Sequence, residues 1–176
     1  HKIRINPGNI GDEQKVKEVI LCVKDHDIPV RIGINSGSLP KSLLEKYPAD
    51  HVKVMIESAK EEIRYFEKYD FNKIVLSFKS SNVPETIEVN KRAKKEFPYP
   101  LHIGVTEAGK PPYAVTKSAC GIAPILLDGI GDTIRVSLLG DPVPEVAACY
   151  DILQATGRRV RKPELIACPT CGRIEI

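Results

Sequence analysis

The feature that most constrains this chain is a short motif that occurs five times along it. In each copy an apolar run carries polar or charged side chains near its end and leads into a loop. The five runs begin at Lys2, Val30, Ile74, Leu101 and Thr133. Runs of this length and composition are typical of β-strands, so the sequence predicts five strands of one design.

Helical patterns separate the predicted strands. Apolar residues recur three and four positions apart in these segments, and proline or glycine marks several of their ends. Strands that alternate with helices predict a parallel sheet, which is an α/β fold. We expect a helix that ends at residue 25, helices over about 41–47, 50–69 and 84–96, one that follows residue 112 and ends at 127, and one over about 144–155.

Two architectures fit this alternation. A doubly wound open sheet binds ligands near its central crevice, whereas a TIM (β/α) barrel gathers residues from all of its strand ends at one face. Polar side chains at all five strand ends favour the barrel, but five units cannot close a barrel of eight strands. We therefore predict a partial TIM barrel of about five consecutive βα units with parallel strands, within a chain that is a piece of a longer protein.

The residues after Gly157 differ in character from those before it. We assign residues 1–157 to the barrel domain and the basic run 158–163 to a linker. Residues 164–176 look like the first strand and turn of a second, smaller domain that the chain does not complete.

Composition narrows the class of protein. The 176 residues are 42% hydrophobic and 28% charged, with a formal net charge of +3, which is too small to indicate a nucleic-acid partner. No apolar run approaches the roughly 18 residues of a membrane span. His1 leads almost directly into a strand rather than into a signal peptide. Five cysteines in a chain of this size do not form a disulfide framework, so we expect a reduced, cytoplasmic setting.

Side chains alternate along a strand, so the polar residues at each strand end share a face. The planar guanidinium group of arginine can form two parallel hydrogen bonds to phosphate oxygens, and lysine contributes a compact positive charge. Unpaired buried cations are costly and few acids share these faces, so the pattern predicts a site for a polyanionic ligand. The alternative is structural ion pairing with acids outside this chain. The candidate binding residues are Arg4, Asn6, Arg31, Asn35, Lys79, Arg135 and Ser137, with Ser36 as a further hydrogen-bonding group.

Glu107 is the one acid at a predicted strand end. A carboxylate among cations can serve in acid–base chemistry, which makes Glu107 the candidate proton donor. A salt bridge to Lys79 or Arg135 is the competing interpretation, and the pattern alone leaves both open. His102 lies on the strand face opposite Glu107, and we expect it to have a packing role.

Two cysteines near the C-terminus, Cys168 and Cys171, form a Cys-X-X-Cys turn with proline and glycine. Their thiolates suit zinc, an iron–sulfur cluster or a redox dithiol. A metal site needs about four ligands, and no further cysteine or histidine follows Cys171. We therefore expect this motif to be part of a site that the chain does not complete.

Several long motifs, taken together and in this order, resemble a known family. They are the runs at 2–11, 31–39, 104–109, 129–138 and 168–173. Over essentially the whole chain they are similar to the (E)-4-hydroxy-3-methylbut-2-enyl diphosphate synthases of the non-mevalonate isoprenoid pathway.

The resemblance implies a TIM barrel followed by a small iron–sulfur domain. It implies an oxidoreductase that opens the ring of 2-C-methyl-D-erythritol 2,4-cyclodiphosphate to give 4-hydroxy-3-methylbut-2-enyl diphosphate. A 4Fe-4S cluster held by three cysteines and one glutamate would deliver two electrons, and flavodoxin or ferredoxin would resupply them. The family works as a homodimer in which one subunit's cluster domain caps the other's barrel.

By motif match, the seven candidate binding residues would grip the cyclic diphosphate and Glu107 would be the proton donor. Cys168 and Cys171 would be the first two cluster ligands. The family's first three barrel strands would precede His1, and its remaining cluster ligands would follow Ile176. The strands near residues 3–6 and 133–138 would then lack barrel neighbours, and bare edges favour a dimer or higher oligomer.

Two other readings use the same residues. One is a non-catalytic phosphate-ligand binding protein with a zinc knuckle. The other is a redox-neutral barrel enzyme, such as a phosphosugar aldolase, in which Lys79 forms a Schiff base.

We expect the 176-residue chain alone to be inactive and to hold no stable 4Fe-4S cluster, because the match supplies only two cluster ligands. An anaerobic reconstitution followed by absorption spectroscopy and a product assay checks this. A cluster absorption band together with product formation would contradict it.

Overall fold

The computed structural model of the protein describes residues 1–6 and 13–167. Within them, parallel strands alternate with helices in the predicted order. The strands are β1 (Ile3–Ile5), β2 (Val30–Asn35), β3 (Ile74–Lys79), β4 (His102–Ile103) and β5 (Thr133–Ile134). The α-helices are α1 (Glu13–Asp25), α2 (Lys41–Lys46), α3 (His51–Lys68), α4 (Val83–Glu96), α5 (Tyr113–Leu127) and α6 (Val143–Ala155), and a 3-10 turn covers Ser36–Ser38.

The strands follow one another across the fold in chain order. β1, β2 and β3 form one parallel sheet, β4 and β5 form another, and a single parallel bridge between Leu76 and Leu101 joins the two. The longest ladder runs from Val30 beside Ile74 to Asn35 beside Lys79. The strands of the described part do not close into a barrel, which confirms the prediction of a partial (β/α) barrel.

β4 and β5 are shorter than the predicted strands over 101–106 and 133–138. The backbone beyond them still makes single hydrogen bonds, from Arg135 N to Ile103 O at 3.0 Å and from Thr106 N to Ser80 O at 3.2 Å. A continued ladder needs a regular series of such bonds, and these isolated ones do not supply it. The residues after both strands are therefore held close to their neighbours without being strand.

Polar side chains determine where the two long central helices begin. Asp50 accepts a hydrogen bond from the backbone N of Lys53 at 2.8 Å, which caps α3. Asn82 accepts one from the backbone N of Glu85 at 2.9 Å, which caps α4. Pro84 occupies the first turn of α4, as its missing N–H allows.

The apolar face of the strands packs against the helices and forms the core. Ile32, Leu76 and Ile103 are at most 1% exposed, and Met55 and Phe66 of α3 are fully buried with them. Each such side chain contributes about 1.5–3 kcal/mol when it is fully buried. This packing leaves the opposite strand face, which carries the polar residues, turned toward the inside of the partial barrel.

Two glycines keep space open on that inner face. A Cβ on Gly33 would lie 2.8 Å from Arg4 Nε, so the Arg4 side chain crosses β2 where no side chain stands. A Cβ on Gly104 would lie 2.5 Å from the Arg135 carbonyl oxygen and 3.3 Å from Lys79 Nζ. The close approach of Arg4 and Lys79 to the neighbouring strands therefore requires glycine at both positions.

The predicted linker makes contacts with the last helix. The Gln154 side-chain oxygen accepts from the backbone N of Arg161 and of Lys162, and its amide nitrogen donates to the Lys162 carbonyl at 2.9 Å. Residues 164–167 belong to no helix or strand, and Cys168 and Cys171 lie outside the described residues. The domain boundaries at 157 and 163 stay predictions.

Gly104→Ala should lower the free energy of unfolding by about 1–3 kcal/mol, because the new methyl group meets backbone that cannot turn away. Urea unfolding followed by circular dichroism measures the change. Gly37→Ala is the matched control, because a Cβ at Gly37 meets no atom within 4 Å. Equal stability losses in both variants would contradict the close approach at Gly104.

Candidate active site

A cavity of about 220 Å³ lies on the inner face of the partial barrel. Parallel strands bring their C-terminal ends to one side of a sheet, and all five strands or the residues just after them contribute to its wall. We call it the cationic cavity. Its lining residues are Arg4, Arg31, Asn35, Ser77, Lys79, Thr106 and Arg135.

The structure thus brings five of the seven candidate binding residues together. Their elements explain the convergence, because β1 and β2 place Arg4 directly beside Arg31 and β2 and β3 place Asn35 beside Lys79. Ser77 and Thr106 join them from the same strand face. The sequence signal for Ser77 is that it lies two residues before Lys79 and so shares its strand face. Thr106 likewise lies two residues after Gly104, whose missing side chain leaves room in the cavity.

No carboxylate of the described residues forms an ion pair with the four cations of this cavity. Lys79 is only 7% exposed. Burial, and after it the charges of Arg135, Arg31 and Arg4, together lower its pKa to about 7. The pKa of Arg31 is lowered as well, first by burial and then by Arg4 and Arg135. The cavity therefore holds positive charge that the described protein does not neutralise.

The other two candidate binding residues lie beside the cavity rather than in its wall. Asn6 donates from Nδ2 to the hydroxyl of Ser38 at 3.2 Å, which ties the end of β1 to the 3-10 turn. Ser137 accepts a hydrogen bond from Arg135 Nη2 at 3.1 Å. Each contacts the segment that carries a lining residue, so both are near enough to affect what the cavity binds.

Glu107 occupies a separate depression of about 320 Å³ together with Ser137 and Leu139. The carboxylate is exposed and forms no ion pair with a described residue, so the structure does not contain the salt bridge to Lys79 or Arg135. The backbone of Glu107 has a φ of 52°, a left-handed conformation that is uncommon for a residue with a side chain. Ser137 is the residue that adjoins both this depression and the cationic cavity.

His102 is a neighbour of the cavity that the sequence interpretation assigned to packing. Its Nε2 lies 3.3 Å from Lys79 Nζ, and its Nδ1 lies 2.8 Å from the hydroxyl of Thr133. Counting faces from Glu107 is misleading, because β4 ends at Ile103 and the backbone at Glu107, four residues later, has a positive φ. His102 shares the inner face with Gly104 and Thr106, and that parity is the signal that identifies it.

A second layer of hydrogen bonds joins the strand ends that carry Asn35 and Lys79. The hydroxyl of Ser36 donates to that of Ser80 at 3.2 Å, so Ser36 is already engaged. Ser80 in turn donates to Glu85 Oε2 at 2.5 Å. The other oxygen of Glu85 lies 3.6 Å from His51 Nδ1. This chain of contacts fixes the ends of β2 and β3 relative to each other.

The described residues do not fit an iron–sulfur cluster. No three histidine, cysteine or acidic side chains come together there in a way that could hold a metal. Cys22, Cys120 and Cys149 are free and lie on separate helices. The two cysteines proposed as ligands lie outside the described residues. None of the helices described has the length and apolar character needed to cross a membrane.

Comparison with known proteins shows which family the chain belongs to. The family profile described as the GcpE TIM-barrel domain matches residues 1–150. The chain belongs to the GcpE family. The match covers every strand and all but the end of α6, and it agrees with the partial barrel described above.

Curated relatives cover nearly the whole chain. It is 52% identical over 174 residues to a protein of Thermodesulfovibrio yellowstonii named 4-hydroxy-3-methylbut-2-en-1-yl diphosphate synthase (flavodoxin). Proteins of the same name from Symbiobacterium thermophilum and Clostridium perfringens are 51% and 52% identical to this chain. Each alignment includes 99% of this chain but only 47–50% of the relative, so the chain spans about half the length of these proteins.

Lys79→Met should stabilise the ligand-free protein at pH 7 by on the order of 1–3 kcal/mol. The pKa of Lys79 is about 7 in the folded protein and near 10.4 in an unfolded chain. Between about pH 7 and about pH 10.4 the unfolded state binds more protons than the folded state, so the free energy of unfolding of the wild type rises with pH. The difference in stability between Lys79→Met and the wild type therefore shrinks as the pH rises. Urea unfolding at pH 7 and pH 10 measures both quantities.

Lys41→Met is the matched control, because Lys41 is exposed at the start of α2. Its stability should follow that of the wild type at both pH values. A Lys79→Met protein that is less stable than the wild type at pH 7 would show that Lys79 is not a buried, unneutralised cation.

Proposed function

We propose that this chain is the barrel portion of a 4-hydroxy-3-methylbut-2-en-1-yl diphosphate synthase of isoprenoid biosynthesis. The whole enzyme would open the ring of 2-C-methyl-D-erythritol 2,4-cyclodiphosphate reductively. Membership of the GcpE family and the names of the relatives support this reaction. The observation that carries the proposal is the cationic cavity, whose charge calls for a polyanion of about the size of a diphosphate.

Each lining cation has a distinct part in binding. Arg4, Arg31 and Arg135 present planar guanidinium groups that can each form paired hydrogen bonds to phosphate oxygens. Lys79 adds a compact charge deeper in the cavity, and Asn35 adds neutral hydrogen bonds. Binding a polyanion relieves the mutual repulsion of the four cations and favours the charged form of Lys79, so binding takes up a proton near pH 8.

The two residues beside the cavity complete the ligand's surroundings. Asn6 and Ser137 would hydrogen-bond the part of the substrate that extends from the diphosphate. Glu107 would be the proton donor, since its depression adjoins the cavity through Ser137 and its carboxylate is not engaged by a described cation. The left-handed backbone at Glu107 supports this assignment, because strained backbone conformations cluster at functional sites.

In the whole enzyme a 4Fe-4S cluster would supply two electrons, one at a time, with Cys168 and Cys171 as the first two ligands and a flavodoxin or ferredoxin as the electron source. A homodimer would bring a cluster domain over the barrel. The described residues contain no site for the cluster, so their part in the reaction is to bind and orient the substrate and to supply a proton.

A second candidate function is carbonyl chemistry through a Schiff base on Lys79. One observation favours it, since a lysine with a pKa of about 7 among other cations is the kind of amine that forms such adducts. Borohydride trapping in the presence of a phosphorylated carbonyl compound separates the two. A covalent adduct on Lys79 would support the second candidate and count against the first.

Isothermal titration of the chain with inorganic pyrophosphate tests the proposed function. We expect binding that weakens steeply with salt and that takes up a proton at pH 8, measured in buffers of different ionisation enthalpy. Arg31→Met should weaken binding roughly 10- to 100-fold, because it removes a charge-assisted contact. Arg64→Met, which removes an exposed arginine on α3, should bind as the wild type does. Absence of binding, or equal affinities for both variants, would overturn the proposal.

A further inference from the structure

We propose that His102 is a positioning residue for Lys79, which it holds in the cationic cavity through a neutral imidazole whose orientation is set by Thr133. The proposal rests on the proposed function, in which Lys79 binds the diphosphate. It assigns a role to a histidine whose position in its strand indicated only packing.

The geometry links three neighbouring strands. His102 of β4 lies directly beside Thr133 of β5 in the parallel register, and its Nδ1 is 2.8 Å from the Thr133 hydroxyl. Its Nε2 is 3.3 Å from the Nζ of Lys79 at the end of β3. Within the described residues, this imidazole is the only hydrogen-bonding partner found for the Lys79 amine. The ring therefore forms a bridge from β5 to β3.

Hydrogen-bonding roles fix the state of the ring. A protonated lysine has donors only, so the nitrogen that faces it must offer a lone pair. The proton of the imidazole then lies on Nδ1, from which it can be donated to the Thr133 hydroxyl oxygen. The ammonium group of Lys79 thus selects the tautomer in which Nε2 accepts, and the Thr133 hydroxyl, which can accept as well as donate, holds the ring in that orientation.

The surroundings keep His102 neutral. Burial, and after it the charges of Lys79, Arg31, Lys2 and Arg135, together lower its pKa to about 3. The ring is thus an acceptor throughout the neutral pH range. The charged or titratable groups that face the pair from the surrounding elements are Lys2 just before β1, Arg4 in β1, Arg31 in β2, Arg135 after β5 and Cys149 in α6.

His102 acts through Lys79 rather than on the ligand. It does not line the cationic cavity but a second one of about 240 Å³, whose wall shares Arg4 and Arg31 with the first. Lys79 lines the cationic cavity and crosses Gly104, where a Cβ would lie 3.4 Å from its Cε. One donor of the ammonium group is directed to His102, which leaves its other donors for the anion.

The test compares His102→Leu, His102→Gln and Thr133→Val with the wild type. His102→Leu removes the acceptor, so the pKa of Lys79 should fall further and pyrophosphate should bind about tenfold more weakly. Gln offers an acceptor oxygen of similar reach, so His102→Gln should stay within about threefold of the wild type. Thr133→Val leaves the acceptor but removes the hydrogen bond that orients the ring, so its affinity should lie between these two. His26→Gln, at the exposed C-terminal end of α1, is the matched control.

Two readouts keep this test separate from that of the proposed function. The pKa of Lys79 is measured by NMR of isotope-labelled lysine without any ligand, and the affinity for inorganic pyrophosphate is measured by titration. If the wild type fails to bind pyrophosphate, the proposed function is overturned, but the pKa of Lys79 in the variants still tests the positioning role of His102. The positioning role is overturned if the pKa of Lys79 is unchanged in His102→Leu. It is also overturned if His102→Gln binds pyrophosphate as weakly as His102→Leu does. If His102→Leu does not fold, Thr133→Val decides by the same two readouts.

Discussion

The repulsion among cations on the inner face of the partial barrel is the constraint that the rest of the structure must accommodate. Arg4, Arg31, Lys79 and Arg135 line one cavity with no described acid paired to any of them. Such a cluster opposes folding, because Lys79 and, in part, Arg31 lose water without gaining a counter-charge, while the exposed Arg4 and Arg135 add their repulsion. The stability that offsets it comes from the other face of the same strands, where apolar side chains pack fully buried against the helices.

Strand alternation makes this division possible. Because neighbouring side chains point to opposite faces, each strand can place apolar side chains against the helices and polar or cationic side chains in the cavity. Glycine residues provide the space that the cationic side chains need. Gly33 and Gly104 sit on the cationic face, where any side chain would displace Arg4 or Lys79. The cavity is therefore shaped as much by absent side chains as by those that line it.

This division also explains what sequence alone could predict. Periodicity located the helices and β2 closely, and the polar strand ends named five residues that line the cavity. Periodicity failed where the backbone leaves regular geometry. Glu107 was the reference for the face assigned to His102, but it lies four residues beyond the end of β4 and has a positive φ. The short ladder of β4 depends on pairing with other strands, which no local pattern encodes. The predicted cluster ligands stay predictions because they lie outside the described residues.

The absence of a paired acid matters for binding as well as for stability. An internal carboxylate would neutralise the arginines, but a ligand would then have to displace it and leave it buried without a partner. The net positive charge is instead lowered in part, because a pKa of about 7 leaves a fraction of Lys79 neutral at pH 7, and a bound anion would favour its charged form. A neutral His102 is compatible with both states of Lys79, whereas a second cation or a carboxylate at that position would lock Lys79 in one of them. Under the proposed function, the proton on Lys79 is therefore an exchangeable charge, which weakens the repulsion in the empty cavity and adds positive charge when a polyanion binds.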